Sequence, residues 1–287
     1  MLVRTPRTNG LPAFAPNQQL VINVLVAGAH GKVGQEIMTV LDRSDHDATA
    51  MVRTDSYASD MAEYDAETVV ADLTEDVSHA VRDHDGIVFA AGSSGEDVEG
   101  VDRDGAIRMI EAAEAHGVGR FVMLSAMNAD EPESSPDALE DYLIAKQEAD
   151  KRLRTSDLTD TIVRPGALTD EPATGEIRAA AKLDRGEITR ADVARTLVAA
   201  LDTAETHGKA FEILAGDEPI ESALEHLTRG EQRGLELPPG FSPSQPPNSS
   251  LVIRTTRVSS TSRRSYSGRP FVRAAYIGST SSPSLTP

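Results

Sequence analysis

The stretch Val21–Gly34, VINVLVAGAHGKVG, constrains the fold of this chain more than any other. Val21, Ile22, Val24, Leu25 and Val26 form an apolar, mostly β-branched run that reads as a strand buried on both faces. Val33, Ile37, Val40 and Leu41 then recur at helical spacing, and Gly28, Gly31 and Gly34 lie at the junction. Strand, glycine turn and helix in that order is the context a dinucleotide fingerprint needs. Gly28 lets the chain turn sharply off the strand, Gly31 lets bare backbone approach a pyrophosphate, and Gly34 lets the helix pack close on the sheet. Free N–H groups and the positive dipole end of the helix then hold the phosphates. Gly28, His30, Gly31, Lys32, Val33 and Gly34 are the candidate phosphate-side residues, with His30 expected to contribute its backbone. A glycine-rich βα turn in an α/β protein without a nucleotide is the competing explanation.

The pattern repeats along the chain. Strand-like runs fall at Asp47–Arg53, Thr68–Ala71, Gly86–Ala91, Arg120–Ser125 and Thr161–Arg164, with helical runs at Tyr57–Glu63, Glu75–Val81, Val101–His116 and Ala138–Arg154. Alternation of this kind predicts an α/β fold, a Rossmann-like doubly wound parallel sheet. Gly117 is placed to end its helix as an αL cap. Beyond Arg164 the expected helix Ala191–Thr203, strand Ala210–Leu214 and helix Ile220–Leu227 are too few for a core of their own. They are read as a small C-terminal cap on the substrate side of the sheet.

Charge divides the chain. The whole sequence carries −18, yet residues 229–287 hold eight Arg, no Lys and two Glu, so residues 1–228 hold 20 basic against 44 acidic groups, or −24. Lysine in that part is confined to Lys32, Lys146, Lys151, Lys182 and Lys209. An acidic, lysine-poor surface resembles that of cytosolic proteins from salt-loving archaea. In molar salt the Debye length falls to about 3 Å and such self-repulsion is screened. The lack of a basic face argues against nucleic acid as a partner of the folded part. There is no Cys, so thiol chemistry and disulfides are excluded. No run of about 18 apolar residues suggests a membrane span, and the first 20 residues lack the apolar segment of a secretory signal. The expected location is cytoplasmic, as a monomer or homodimer. Residues 1–20 read as a disordered extension or a mis-set start. Residues 21–228 read as the nucleotide-binding domain, and residues 229–287 as a disordered tail rich in Ser, Pro and Arg, either anion-binding or a frameshifted or read-through end.

Cofactor choice is read at the tip of the second strand. Arg53 there suits the 2′-phosphate of NADP, whereas a carboxylate would favour NAD; Asp55, two residues on, keeps NAD as the less favoured alternative. Asp72, followed by Leu73, ends the third strand, placed either to reach the adenine amino group or to cap the next helix with Thr74. Ala90, Ala91 and Gly92 offer small side chains where a cofactor would pass. Ser125, Tyr142 and Lys146 are the catalytic candidates. Tyr142 and Lys146 share a helix face at i and i+4, and an ammonium beside a phenol of pKa near 10 stabilises phenolate and brings acid–base work into range. Ser125, at a strand's C-terminal end, is placed to bond a substrate carbonyl. The acidic loop Asn128–Asp137 is either a lid or a solvated surface loop. The seven His show no ligand spacing, so no metal is expected.

Together Gly28/Gly31/Gly34, Ser125, Tyr142-x-x-x-Lys146 and Arg164-Pro165-Gly166 resemble the short-chain dehydrogenase/reductase superfamily. Thr189-Arg190-Ala191-Asp192-Val193-Ala194 resembles its atypical, NmrA-like and epimerase branch, over roughly Val21 to Leu227. The resemblance implies a Rossmann fold binding NADP, with Pro165 and Gly166 near the cofactor. In extended members an Asn organises a proton-relay water; here Asp102 stands at the matching position, ahead of Gly105-Ala106, with an auxiliary role. The expected function is NADP-dependent oxidoreduction, or epimerisation or dehydration through transient oxidation, of a small carbonyl or hydroxyl compound. Some members of this branch instead sense NADP(H) without catalysis, and that is the alternative.

Overall fold

Continuous apolar runs become the strands of a sheet buried on both faces. In the computed structural model, which describes residues 21–228, β1 (Asn23–Ala27), β2 (Asp47–Val52), β3 (Glu67–Val70), β4 (Gly86–Phe89), β5 (Arg120–Leu124) and β6 (Thr159–Pro165) are all parallel, in the order β3-β2-β1-β4-β5-β6. The expected N-terminal extension and C-terminal tail lie outside the described residues. After β6, β7 (Ala167–Thr169) and β9 (Glu187–Thr189) form a separate two-stranded ladder. β8 (Glu176–Ala180), β10 (Lys209–Ala215) and β11 (Glu218–Pro219) extend the main sheet, β10 parallel to β6 and β8 antiparallel to both β10 and β11.

Alternate residues of each strand feed two cores. Val24 and Val26 pack with Val88, Val122 and Val163 under α1 (Lys32–Leu41) and α6 (Arg190–Asp202). Leu25 and Ala27 face the other way, with Ile87, Phe89, Phe121 and Met123, under α4 (Asp104–His116) and α5 (Asp137–Arg154). This is the three-layer arrangement of a doubly wound parallel sheet.

The expected elements recur with shifted ends. The run Tyr57–Glu63 becomes a single turn, α2 (Asp55–Ala58), continued by a 3-10 turn, Ser59–Glu63. Helix α3 (Ser78–Val81) starts later than its sequence pattern because Asp76 accepts from Ser78 N and Oγ, fixing a local turn ahead of it. The run from Val101 begins as a π-helical segment, Val98–Arg103, and Gly117 closes α4 at φ +72°. The strand read at Ala210–Leu214 joins the main sheet rather than the cap region. Phe211, Ile213 and Leu214 are at most 1% exposed, so both of its faces need covering. The last helix, α7 (Ile220–Glu225), buries Ile220, Ala223 and Leu224.

Candidate functional site

The strand order reverses between β1 and β4, where an open α/β sheet forms its binding crevice. Gly28 sits there at φ +86°, and a Cβ on it would meet Ala91 Cα at 2.6 Å. A Cβ on Gly34 would lie 2.1 Å from the Gly28 carbonyl oxygen, so the first turn of α1 is drawn tightly onto the loop. Gly31 precedes α1 without a side-chain cap, while Gly31 N donates to Gly28 O and Gln35 N to Gly31 O. The N–H groups of Lys32, Val33 and Gly34 thus start the helix with no intrahelical partner, which is the donor set a pyrophosphate needs. The residues fit the phosphates of a dinucleotide.

Around this turn the other candidates take definite places. His30 employs its side chain as well as its backbone: the ring stacks on Tyr57 at 3.8 Å and 11°, and Nε2 meets Asp60 Oδ2 at 2.9 Å. Lys32 and Arg190 both bond Asp170, and these three residues line a cleft between α1 and the start of α6. Arg53 is exposed at the end of β2 and makes no ion pair among the described residues. Asp72 accepts from Thr74 N and Oγ1, each at 2.8 Å, and these bonds, with Arg53 and Arg108 nearby, hold its carboxyl below the usual range. Leu73 is buried, where a Cβ on Gly105 would touch its own Cβ at 2.9 Å. Ala90 and Ala91 are half-buried, and Gly92 lies against Asp102, 3.1 Å from a built Cβ to Oδ1. Pro165 is buried at the end of β6, and Gly166 packs against Gly186 and Leu214.

Beyond Gly92, which lies against Asp102, Tyr142, Lys146 and Asp102 come together. Lys146 Nζ is 3.4 Å from Asp102 Oδ1, 3.5 Å from the Leu124 carbonyl oxygen and 5.6 Å from the Tyr142 ring centroid. Asp102 Oδ2 in turn accepts from Ser93 N at 3.0 Å and Ser93 Oγ at 2.6 Å. The π-helical segment carries Asp102 into this position, a place where such irregularities often mark function. Burial opposes the ammonium of Lys146, but Tyr142, Asp102 and Asp150 outweigh it and hold its pKa above the ordinary lysine value. Ser125 bonds elsewhere. Its Oγ donates to Asp150 Oδ2 at 3.0 Å, and it makes no hydrogen bond to Tyr142 or Lys146 among the described residues.

Asp150 opens an ion-pair chain that the residue pattern did not reveal. Arg164 clamps Asp150 through Nε at 3.0 Å and Nη2 at 2.9 Å and reaches Asp130 at 3.4 Å. Lys182 joins Asp130 at 2.9 Å to Glu212 at 3.2 Å, and Glu212, wholly buried on β10, also accepts from the backbone N–H groups of Asn128 and Leu183. The acidic loop Asn128–Asp137 is therefore pinned at its start, with Asn128 at φ +64° and Pro132 buried. Two signals were available: Asp150 continues the Tyr142–Lys146 stripe by four residues, and Glu212 interrupts an apolar strand.

Asp192 explains the Thr189–Ala194 segment. Its carboxylate, 0% exposed, accepts from Thr174 N, Gly175 N and Thr189 Oγ1, while Thr189 caps α6. No helix among the described residues is long and apolar enough to cross a membrane.

Comparison with known proteins agrees with this geometry. The family model described as NAD(P)H-binding matches residues 28–204. A Bacillus subtilis protein named uncharacterized sugar epimerase YhfK is 42% identical over 214 residues, covering 72% of this chain and 100% of its own length. The crystal structure of the oxidoreductase ylbE from Lactococcus lactis is 32% identical, with a TM-score of 0.68, covering 72% of this chain and 97% of that one. A Veillonella parvula short-chain dehydrogenase/reductase solved with NADP, at 16% identity and a TM-score of 0.57, shares the fold. The chain belongs to the NAD(P)H-binding family of Rossmann-type epimerases and reductases.

Proposed function

We propose that the protein is an NADP(H)-dependent oxidoreductase or epimerase acting on a small carbonyl or hydroxyl compound. The observation that carries this reading is the free first turn of α1 at the sheet's switch point, together with a buried Lys146 beside Tyr142 in the same domain. When bound, the cofactor supplies or accepts hydride at its nicotinamide. Residues 28–34 hold its phosphates, and Arg53, exposed and without an ion pair among the described residues, takes the 2′-phosphate. Tyr142 gives or receives the proton at the substrate oxygen. Lys146, kept cationic, stabilises the phenolate and meets the ribose hydroxyls. Asp102 fixes the Lys146 ammonium through their contact at 3.4 Å. Ser125 orients the substrate. Its bond to Asp150 and the lack of one to Tyr142 among the described residues support a role on the substrate rather than in proton transfer.

The test is NADPH oxidation against a panel of small aldehydes and ketones, comparing wild type with Tyr142→Phe. Loss of a hundredfold or more in kcat, on the order of general acid–base contributions, with NADPH affinity retained is expected. Full activity in that variant would remove Tyr142 from the chemistry.

A further inference from the structure

Ser125 has one hydroxyl proton and two lone pairs to place. The proton is committed. Its Oγ lies 3.0 Å from Asp150 Oδ2, the same oxygen that accepts Arg164 Nε at 3.0 Å and Nη2 at 2.9 Å. An ionised carboxylate can only accept. Burial pushes the Asp150 carboxyl above its usual range against the pull of Arg164, Ser125 and Lys146. A proton taken up there goes to Oδ1, because Oδ2 already faces two guanidinium N–H groups. Oδ1 is buried and has no hydrogen-bond partner among the described residues. In either state Ser125 is the donor. Ser125, Asp150 and Arg164 are 3%, 2% and 9% exposed, so bulk water competes little for these bonds. The Ser125 lone pairs meet no donor among the described residues.

We propose that Asp150, clamped by Arg164, fixes Ser125 as a hydrogen-bond acceptor, so that the substrate group seated against Ser125 is a donor: a hydroxyl or N–H next to the reacting carbon. A bare carbonyl or ether oxygen at that place would face the serine lone pairs with nothing to share. The inference rests on the reading of Ser125 as substrate-orienting and narrows its substrates to donor-bearing carbonyl compounds and the matching alcohols. Asp150 is a positioning residue that acts through Ser125. It stands eight residues beyond Tyr142 and four beyond Lys146 on α5, so one helix face sets both the proton-transfer group and the polarity of Ser125.

The test uses the full-length protein with NADPH and two ketones that differ in one donor, hydroxyacetone and methoxyacetone. Reduction adds hydride from NADPH and a proton through Tyr142, giving propane-1,2-diol from the first. Hydroxyacetone should show kcat/KM at least about tenfold higher, and should bind at least about tenfold tighter to the NADP-loaded protein, where no turnover occurs. Ser125→Ala should bring both ratios within about twofold of unity, because a methyl group has no lone pair. Asp150→Leu combined with Arg164→Met removes both buried charges at once, frees the Ser125 proton and should erase the preference too. Equal handling of the two ketones by wild type, a preference that survives Ser125→Ala, or failure of hydroxyacetone to bind or react overturns the proposal. NADPH affinity, measured on every variant, reports folding. If wild type binds NADPH but shows no preference, this inference alone fails; if it does not bind NADPH, the reading beneath it fails.

Discussion

The glycine turn and the network around Asp150 are built on different principles. At the β1–α1 junction the candidate groups are backbone: free N–H donors presented by a turn in which Gly28 and Gly34 have no room for a side chain. Around β5, β6 and β10 the structure instead joins side chains, Ser125, Asp150, Arg164, Asp130, Lys182 and Glu212, drawn from segments far apart in sequence and linked by a hydrogen bond and ion pairs. A backbone site is specified locally and tolerates almost no change. A side-chain network is specified globally, and its members depend on one another: removing one charge strands its partner, while removing both can be harmless.

The sharpest way to break the comparison is at Gly34. In Gly34→Val a Cβ would fall 2.1 Å from the Gly28 carbonyl oxygen, and the loop must shift. NADPH affinity should fall by a hundredfold or more, on the order of complete loss of the phosphate site, in a fluorescence titration. Retained affinity would mean that the turn is only architectural.

The network is broken by Arg164→Ala, which leaves Asp150 buried and unpaired. Urea unfolding should show a loss of about 3–5 kcal/mol, whereas Asp150→Leu with Arg164→Met should stay within about 1–2 kcal/mol of wild type. Similar losses in both would show that the charges are not coupled as the geometry implies.

Asp192 is a third test. Burial raises its carboxyl pKa, but bonds from Thr174, Gly175 and Thr189 outweigh this and hold it below the ordinary carboxylate value. A depressed folded value contributes stability that is present above the unfolded pKa and is lost as pH falls through the folded one. Asp192→Ala should cost about 1–3 kcal/mol at pH 7, and its deficit against wild type should shrink below about pH 4, seen by thermal unfolding across pH. A deficit independent of pH would contradict the ionised-acceptor role.

Arg53→Ala sharpens the cofactor side. NADPH affinity should drop about tenfold while NADH affinity stays put, consistent with loss of one charge-assisted phosphate contact. The smallest effect is global: with −18 net charge, raising KCl from 0.1 to 2 M should stabilise the fold by about 1 kcal/mol or more as repulsion is screened.

That difference also decides what was legible in the sequence. The parallel character of β1 to β6, the glycine turn and the Gly117 cap follow from the alternation of strand and helix patterns and from glycine chemistry. The strands β7, β8, β9 and β11, of two to five residues each, have too little periodicity to read and exist through pairing with distant partners. Tyr142 and Lys146 were visible because one helix turn joins them. The pairing of Asp150 with Arg164 was not, because their meeting depends on β6 lying beside β5 under α5. The aromatic partner of His30 belongs to α2, whose place depends on the whole sheet edge, and no local pattern links the two rings.

The most direct test of the central claim is a nicotinamide-fluorescence titration of the intact chain with NADPH and NADH in 2 M KCl. Saturable binding, tighter for NADPH and abolished by Gly34→Val, is the predicted result. Failure of a folded wild-type protein to bind either nucleotide would contradict the claim that the glycine turn is a cofactor site.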